Sequence, residues 1–190
     1  MPRSYRTFVA VEIPTKVADQ VGRLIGRLGQ CGANVNWVES GNLHLTLKFL
    51  GDVRDTSIPE VCKTVDTVVS KLPAFDLELA GVGAFPNAEK PRTIWIGVAK
   101  GRDEMVTLHE ALDGALAELG FRGDGRRFTP HLTLGRVRQR PRDLAELSEL
   151  IAKHDSFVAG KLMVDEVAIV SSNLGREGPV YTNLGHADLA

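Results

Sequence analysis

The stretch NLHLTLKFLG, Asn42–Gly51, returns later in the chain as FTPHLTLGRV, Phe128–Val137. Each carries the same four residues, His44-Leu45-Thr46-Leu47 in the first and His131-Leu132-Thr133-Leu134 in the second. Side chains of an extended strand alternate between its two faces. That rule puts Leu45, Leu47 and Phe49 on one face and His44, Thr46 and Lys48 on the other. In the second copy, Leu132 and Leu134 oppose His131 and Thr133. Each motif is therefore expected as a half-buried strand with an apolar face inward and an imidazole–hydroxyl pair outward.

The surroundings of the two motifs also repeat. TFVAVEIP from Thr7 and TIWIGVAK from Thr93 read as strands rich in β-branched and aromatic residues. A helical stripe follows each: Val17, Ala18, Val21, Leu24, Ile25 and Leu28 in one, Leu108, Leu112, Ala115, Leu116 and Leu119 in the other. A second helix follows each motif. Its stripe is Ile58, Val61, Val65, Val68, Val69 and Leu72 in the first half. In the second half Pro141 sits near the start, before Leu144, Leu147, Leu150 and Ile151. Further strands are expected at Phe75–Leu79 and Val164–Val170, and PNAEKPR, Pro86–Arg92, as a turn-rich connector. This order predicts an α+β protein, one domain over residues 1–190, whose two halves form two lobes related by a pseudo-twofold. A parallel doubly wound sheet would share the alternation, but neither half has a glycine-rich phosphate loop after its first strand.

Composition sets bounds on function. Of the 190 residues 43% are hydrophobic and 25% charged, ordinary globular usage that argues against disorder. Cys31 and Cys62 match no disulfide framework and read as free thiols in a reducing compartment. The N-terminal residues lack a signal-peptide apolar run, and no stretch reaches the roughly 18 apolar residues of a membrane span. A cytoplasmic, monomeric protein without a membrane partner is the expectation. The net charge of −1 argues against a generic nucleic-acid coat. Between Arg122 and Arg142, however, stand seven arginines and one acid, Asp124. This is either an arginine-rich surface loop or an electropositive wall for a polyanion.

If the pseudo-twofold brings the two polar faces together, two histidines and two threonines surround one small space. Such a space suits phosphodiester chemistry. A neutral imidazole takes a proton from water, a protonated one gives a proton to the leaving oxygen, and an unperturbed pKa near 6.5 makes both forms accessible. The threonine hydroxyls can donate to non-bridging oxygens. A single His-x-Thr strand occurs readily by chance; two copies at matching places in a repeat do not. His109, His154 and His186 lack that setting and are expected to be solvated or capping. No HExxH, CxxC or His-x-His grouping suggests a metal.

On FVAVEIP, WVESGNLHLTLKFLGDV (Trp37–Val53), GVGAFPN, PRTIWIGV and FTPHLTLGRV, in that order along nearly the whole chain, the sequence resembles the two-histidine phosphoesterase superfamily. Within it, the resemblance is to the RNA 2′,3′-cyclic phosphodiesterase (2′-5′ RNA ligase) family. The resemblance implies a bilobal α+β arrangement of two antiparallel sheets flanked by helices, with a central cleft. It implies opening of terminal 2′,3′-cyclic phosphates of RNA or related nucleotides to 2′-phosphomonoesters, without metal or other cofactor. His44 is then the proton donor and His131 the acceptor, with Thr46, Thr133 and Arg136 on the phosphate.

Strict alternation puts Arg136 on the leucine side, so a bulge or strand end after Gly135 must redirect it. Phe128 could stack on a base or fill core; Lys48 could meet the RNA backbone or be merely solvated. Trp37 and Trp95 are expected to pack. The alternatives are 2′-5′ ligation as the main role, run through the same site, or a non-catalytic RNA- or nucleotide-binding module. Turnover of a cyclic-phosphate RNA separates the last from the enzymes.

Overall fold

The computed structural model describes residues 3–125, 127–138, 144–175 and 178–190. Pro141, and Arg126, Arg140 and Arg142 of the arginine-rich stretch, lie outside the described residues.

Nine strands and four helices are described. In chain order they are β1 (Ser4–Glu12), α1 (Thr15–Leu28), β2 (Val35–Trp37), β3 (His44–Arg54), α2 (Ile58–Val69), β4 (Phe75–Phe85) and β5 (Thr93–Lys100), then α3 (Arg102–Glu118), β6 (His131–Val137), α4 (Leu144–Lys153), β7 (Val158–Val164), β8 (Glu166–Leu174) and β9 (Pro179–Asp188). One sheet runs β3-β1-β8-β9, the other β2-β6-β5-β4-β7. All pairings are antiparallel, which excludes the doubly wound alternative. The bilobal α+β expectation is met. The expected strand at Val164–Val170 straddles a break: Asp165 separates β7 from β8.

The helices form where the apolar period is 3.6. In α1, Val17, Ala18, Val21, Leu24 and Leu28 are buried on one stripe, and Pro14 before it accepts from the amides of Val17 and Ala18. In α3 the stripe gains Met105 and His109 beside Leu108, Leu112 and Leu116. One apolar cluster joins both lobes, with Val9, Leu45 and Val61 at one end and Leu77, Ile94 and Leu132 at the other.

The sequence halves, however, are not the lobes. β4, which follows α2 in the first half, pairs with β5 and β7 in the second sheet; β8 and β9, at the end of the chain, complete the first. The helices cross over too. α1 and α4 pack on β7 and β4, whereas α2 and α3 pack on β9 and β3. Among the described residues, no helix is long and apolar enough to cross a membrane.

Candidate active site

Both motif strands carry the same irregularity. Along β1 and β3, Thr46 faces Ala10 and Lys48 faces Val9, so Leu47 is skipped. Along β5 and β6, Thr133 faces Trp95 and Gly135 faces Ile94, so Leu134 is skipped. A bulge of this kind reverses the in–out parity of every residue beyond it. Arg136 is thereby returned to the face of His131 and Thr133, as the family resemblance implied, although the irregular residue is Leu134 rather than one beyond Gly135. In the first lobe the same step overturns the expected alternation. Lys48 goes under the sheet with Leu45 and Leu47, and Phe49 comes up on the face of His44 and Thr46. Phe49 and Arg136 thus hold equivalent positions. The ladders also make Phe8, not Thr7, the counterpart of Thr93.

His44, Thr46, His131, Thr133 and Arg136 all line one cleft of about 1250 Å³. The two imidazoles are held alike. His44 Nδ1 lies 2.7 Å from the carbonyl oxygen of Asn42, and His131 Nδ1 lies 2.7 Å from that of Thr129. Only a protonated Nδ1 can donate to a carbonyl, so each ring carries its hydrogen there and leaves Nε2 for chemistry. Aromatic rings fix the planes. Phe8 stacks on His44 at 4.8 Å and Tyr181 meets it edge-on at 5.2 Å; Phe85 meets His131 edge-on at 5.0 Å. Burial lowers the pKa of His44 below the usual imidazole value, partly countered by the bond to Asn42. Burial also lowers that of His131, countered by Thr129 and reinforced by the Arg136 guanidinium.

The cleft lining is mixed: Arg6, Arg122, Arg127 and Arg136 bring positive charge, and Phe49, Phe85, Phe128, Leu174 and Tyr181 bring apolar and aromatic surface. Burial raises the Tyr181 pKa, so the ring is a phenol. A smaller annex of about 360 Å³ shares His44, Phe8, Asn42 and Tyr181, and carries Glu12 and Asp19. Carboxylates make the annex unfavourable for a polyanion, and the arginines make the main cleft favourable.

Lys48 does not meet the cleft. It is 1% exposed, and its ammonium bonds Asp113, Asp124 at 3.4 Å and the carbonyl oxygen of Arg122 at 2.8 Å. Three donors with three acceptors offset the desolvation of the buried charge. The Lys48 ammonium beside Asp113 holds that carboxyl below the usual carboxylate range. His109 is also not solvated. It is buried on α3, its Nδ1 sits 2.7 Å from the carbonyl oxygen of Leu47, and its ring stacks on Phe128 at 4.1 Å and 9°. Phe128 lines the cleft while packing on that imidazole and against the core.

His154 does cap, with Nδ1 2.8 Å from the Leu150 carbonyl oxygen. His186 lies on β9, exposed and near Asn183 and Glu12. Among the described residues, a grouping close enough to share an ion is Glu12, Glu166 and His186, all exposed. Trp37 packs over Gly135, and Trp95 packs against Phe85, its buried indole N–H without a partner. Cys31 and Cys62 are free thiols. Sequence reading missed Phe8, Tyr181, Phe85 and Arg6. Alternation along TFVAVEIP could have given Phe8; Tyr181 and Phe85 reach the histidines only through pairing between distant strands.

Two His–Thr strands on facing sheets, each bulged after its second leucine and opening on one cleft, define a bilobal, two-histidine class of protein. The model of the 2′-5′ RNA ligase superfamily matches residues 14–176. A protein of Methanothermobacter thermautotrophicus called RNA 2′,3′-cyclic phosphodiesterase is 35% identical over 94% of this chain and 96% of its own length. One of the same name from Thermotoga maritima is 35% identical over 93% of this chain and 91% of its own. Among solved structures, TT0787 of Thermus thermophilus superposes with a TM-score of 0.79 at 28% identity, covering 97% of each chain. Escherichia coli LigT complexed with 3′-AMP shares the fold, with a TM-score of 0.78 at 24% identity over 99% of each. The chain belongs to the 2′-5′ RNA ligase superfamily.

Proposed function

We propose that the chain hydrolyses 2′,3′-cyclic phosphodiester ends of RNA to 2′-phosphomonoesters, the activity for which its relatives are named. The observation that carries this reading is the matched pair of imidazoles, each tied by Nδ1 to a backbone carbonyl and each bordering the same cleft. In the forward step, water attacks phosphorus and gives its proton to Nε2 of His131. The P–O3′ bond breaks, and the departing O3′ takes a proton from Nε2 of His44. The product carries a 2′-phosphate and a free 3′-hydroxyl. Arg136 supports this assignment, because a guanidinium beside His131 disfavours the imidazolium there and keeps it a base. Thr46, Thr133 and Arg136 donate to the non-bridging oxygens, at roughly 1.5–3 kcal/mol for each bond to a charged group. Run in the same direction with an RNA 5′-hydroxyl in place of water, these steps form a 2′-5′ linkage and free the 3′-hydroxyl.

Protonation of His44 follows from substrate binding. The phosphodiester is an anion, and an anion at Nε2 raises the pKa that burial had lowered. The kcat/KM profile against pH is therefore expected to lie on the acid side of the kcat profile. The deciding experiment is incubation with an oligonucleotide ending in a 2′,3′-cyclic phosphate, in EDTA, with product mapping. A 2′-phosphate is expected. A 3′-phosphate, or binding with no turnover, would overturn the reading.

A further inference from the structure

Two residues of β3, Leu47 and Lys48, hold the segment that leads to His131. Leu47 is left out of the ladder by the bulge, so its carbonyl has no strand partner; the His109 imidazole supplies one. The same imidazole is the platform for Phe128, three residues before His131. Lys48, one residue on, reaches Arg122 and Asp124 at the start of that segment, and Asp113 of α3 bonds both Lys48 and the Asp124 backbone amide, the latter at 3.1 Å. The segment therefore has two anchors, one at each end, and both rest on the first-lobe bulge. At its end Thr129 presents the carbonyl that orients the His131 ring.

We propose that Lys48 and His109 are positioning residues, acting from beneath the first-lobe sheet to hold the Thr129 carbonyl against His131 Nδ1. Lys48 lies outside the cleft lining, and His109 borders the cleft beside Phe128 with its Nδ1 turned to the Leu47 carbonyl oxygen. Their effect is on one histidine of the two, because Asn42, which orients His44, belongs to a different segment, and its side-chain amide bonds Pro179. The role of His131 rests on the proposed function; the geometry of its ring does not.

The test uses the second histidine as an internal control. Histidine side-chain NMR would follow the titration and ring-nitrogen signals of His44 and His131 in the full chain and in Lys48→Met, Asp124→Asn and Phe128→Leu. The groups facing His131 are Arg136 on its own strand, the neutral rings of Phe85 and Trp95 on β4 and β5, and His44 and Tyr181 across the cleft. None of them is changed. Loss of a firm Thr129 bond removes an influence that raises the His131 pKa, so its titration should move to lower pH while that of His44 stays in place. The kcat on a cyclic-phosphate RNA should fall on the order of 10- to 100-fold in Lys48→Met, a loss typical of misplacement by about 1 Å, and less in Asp124→Asn.

Lys48→Met is the variant most prone to misfolding. Asp124 is half exposed, so its asparagine variant leaves the Lys48–Asp113 pair in place and keeps the test alive. An unchanged His131 titration in Asp124→Asn and Phe128→Leu, with the His44 signals showing a folded cleft, would overturn the proposal. Absence of cyclic phosphodiesterase activity in the parent would instead defeat the proposed function and leave the NMR comparison standing.

Discussion

The two lobes solve one problem, the bulge after the second leucine of HLTL, with different materials. In the second lobe the strand β2 lies along the outside of β6. Its neighbour Val38 donates to the orphaned Leu134 carbonyl at 2.8 Å, and Gly135 lies under Trp37 and Val35. In the first lobe β3 is an edge strand with no such neighbour. There the Leu47 carbonyl takes its hydrogen from His109, and the position of Gly135 is filled by Lys48 with its ion pairs. Backbone support needs a glycine; side-chain support needs ionisable groups and ties the bulge to a distant segment. On the cleft face the same comparison gives Arg136 against Phe49, which is 57% exposed. A pseudo-symmetric frame thus delivers an asymmetric site, with a guanidinium at one position and a phenyl ring at its counterpart.

That comparison can be broken at several points. The largest effect is expected at the paired histidines. Alanine at either His44 or His131 should lower kcat by about 10²–10⁴ on a cyclic-phosphate RNA, each removing one proton transfer. If one variant lost activity while the other kept it, the two motifs would not share a reaction. Next is Arg136→Gln against Phe49→Leu. Removing the guanidinium forfeits bonds to a charged phosphate, about 1.5–3 kcal/mol or roughly 10- to 150-fold in kcat/KM, whereas Phe49→Leu should act mainly on KM. Equal losses in both would mean that the two positions do not divide the work.

Two smaller effects sharpen the contrast in support. Gly135→Ala places a Cβ 2.7 Å from the Trp37 ring and 2.8 Å from Val35, so it should destabilise by about 1–3 kcal/mol in a urea titration. No comparable glycine constraint exists at Lys48. Last is the pH dependence of stability. His44 and His131 both have lowered pKa values when folded, so the unfolded chain binds more protons around and below the ordinary value of 6.5. Stability should fall as pH drops through that value and level off once the folded groups themselves protonate. Urea midpoints at a series of pH values would check this, and His44→Gln should flatten the slope.

Much of this was legible in the sequence because it depended on local period. The 3.6 stripe of Val17 to Leu28, the alternation of His44 to Leu47 and the second HLTL needed nothing beyond the chain itself. Lys48 and Phe49 were misassigned because a bulge is a decision of two strands: the extra residue appears only when Thr46 and Lys48 are set against Ala10 and Val9. For Arg136 the family resemblance implied a parity change, so a bulge could be anticipated; nothing implied one for Phe49. His109 looked like a surface histidine because helical spacing cannot report a carbonyl freed elsewhere. Tyr181 depended on the β8–β9 hairpin joining the first sheet through β1, a pairing across most of the chain.

The exchange of elements between the lobes has one further consequence. Each sheet contains strands from both ends of the chain, and α1 and α3 each cover the sheet opposite to their own strand. A break within Pro86–Arg92 would not release two small proteins. It would yield two fragments with open edges and bare apolar faces, neither able to close a sheet unaided. Mixed together, they should reassociate and restore both histidines to one opening. The repeat written along the sequence is, in space, a clasp rather than a pair of beads.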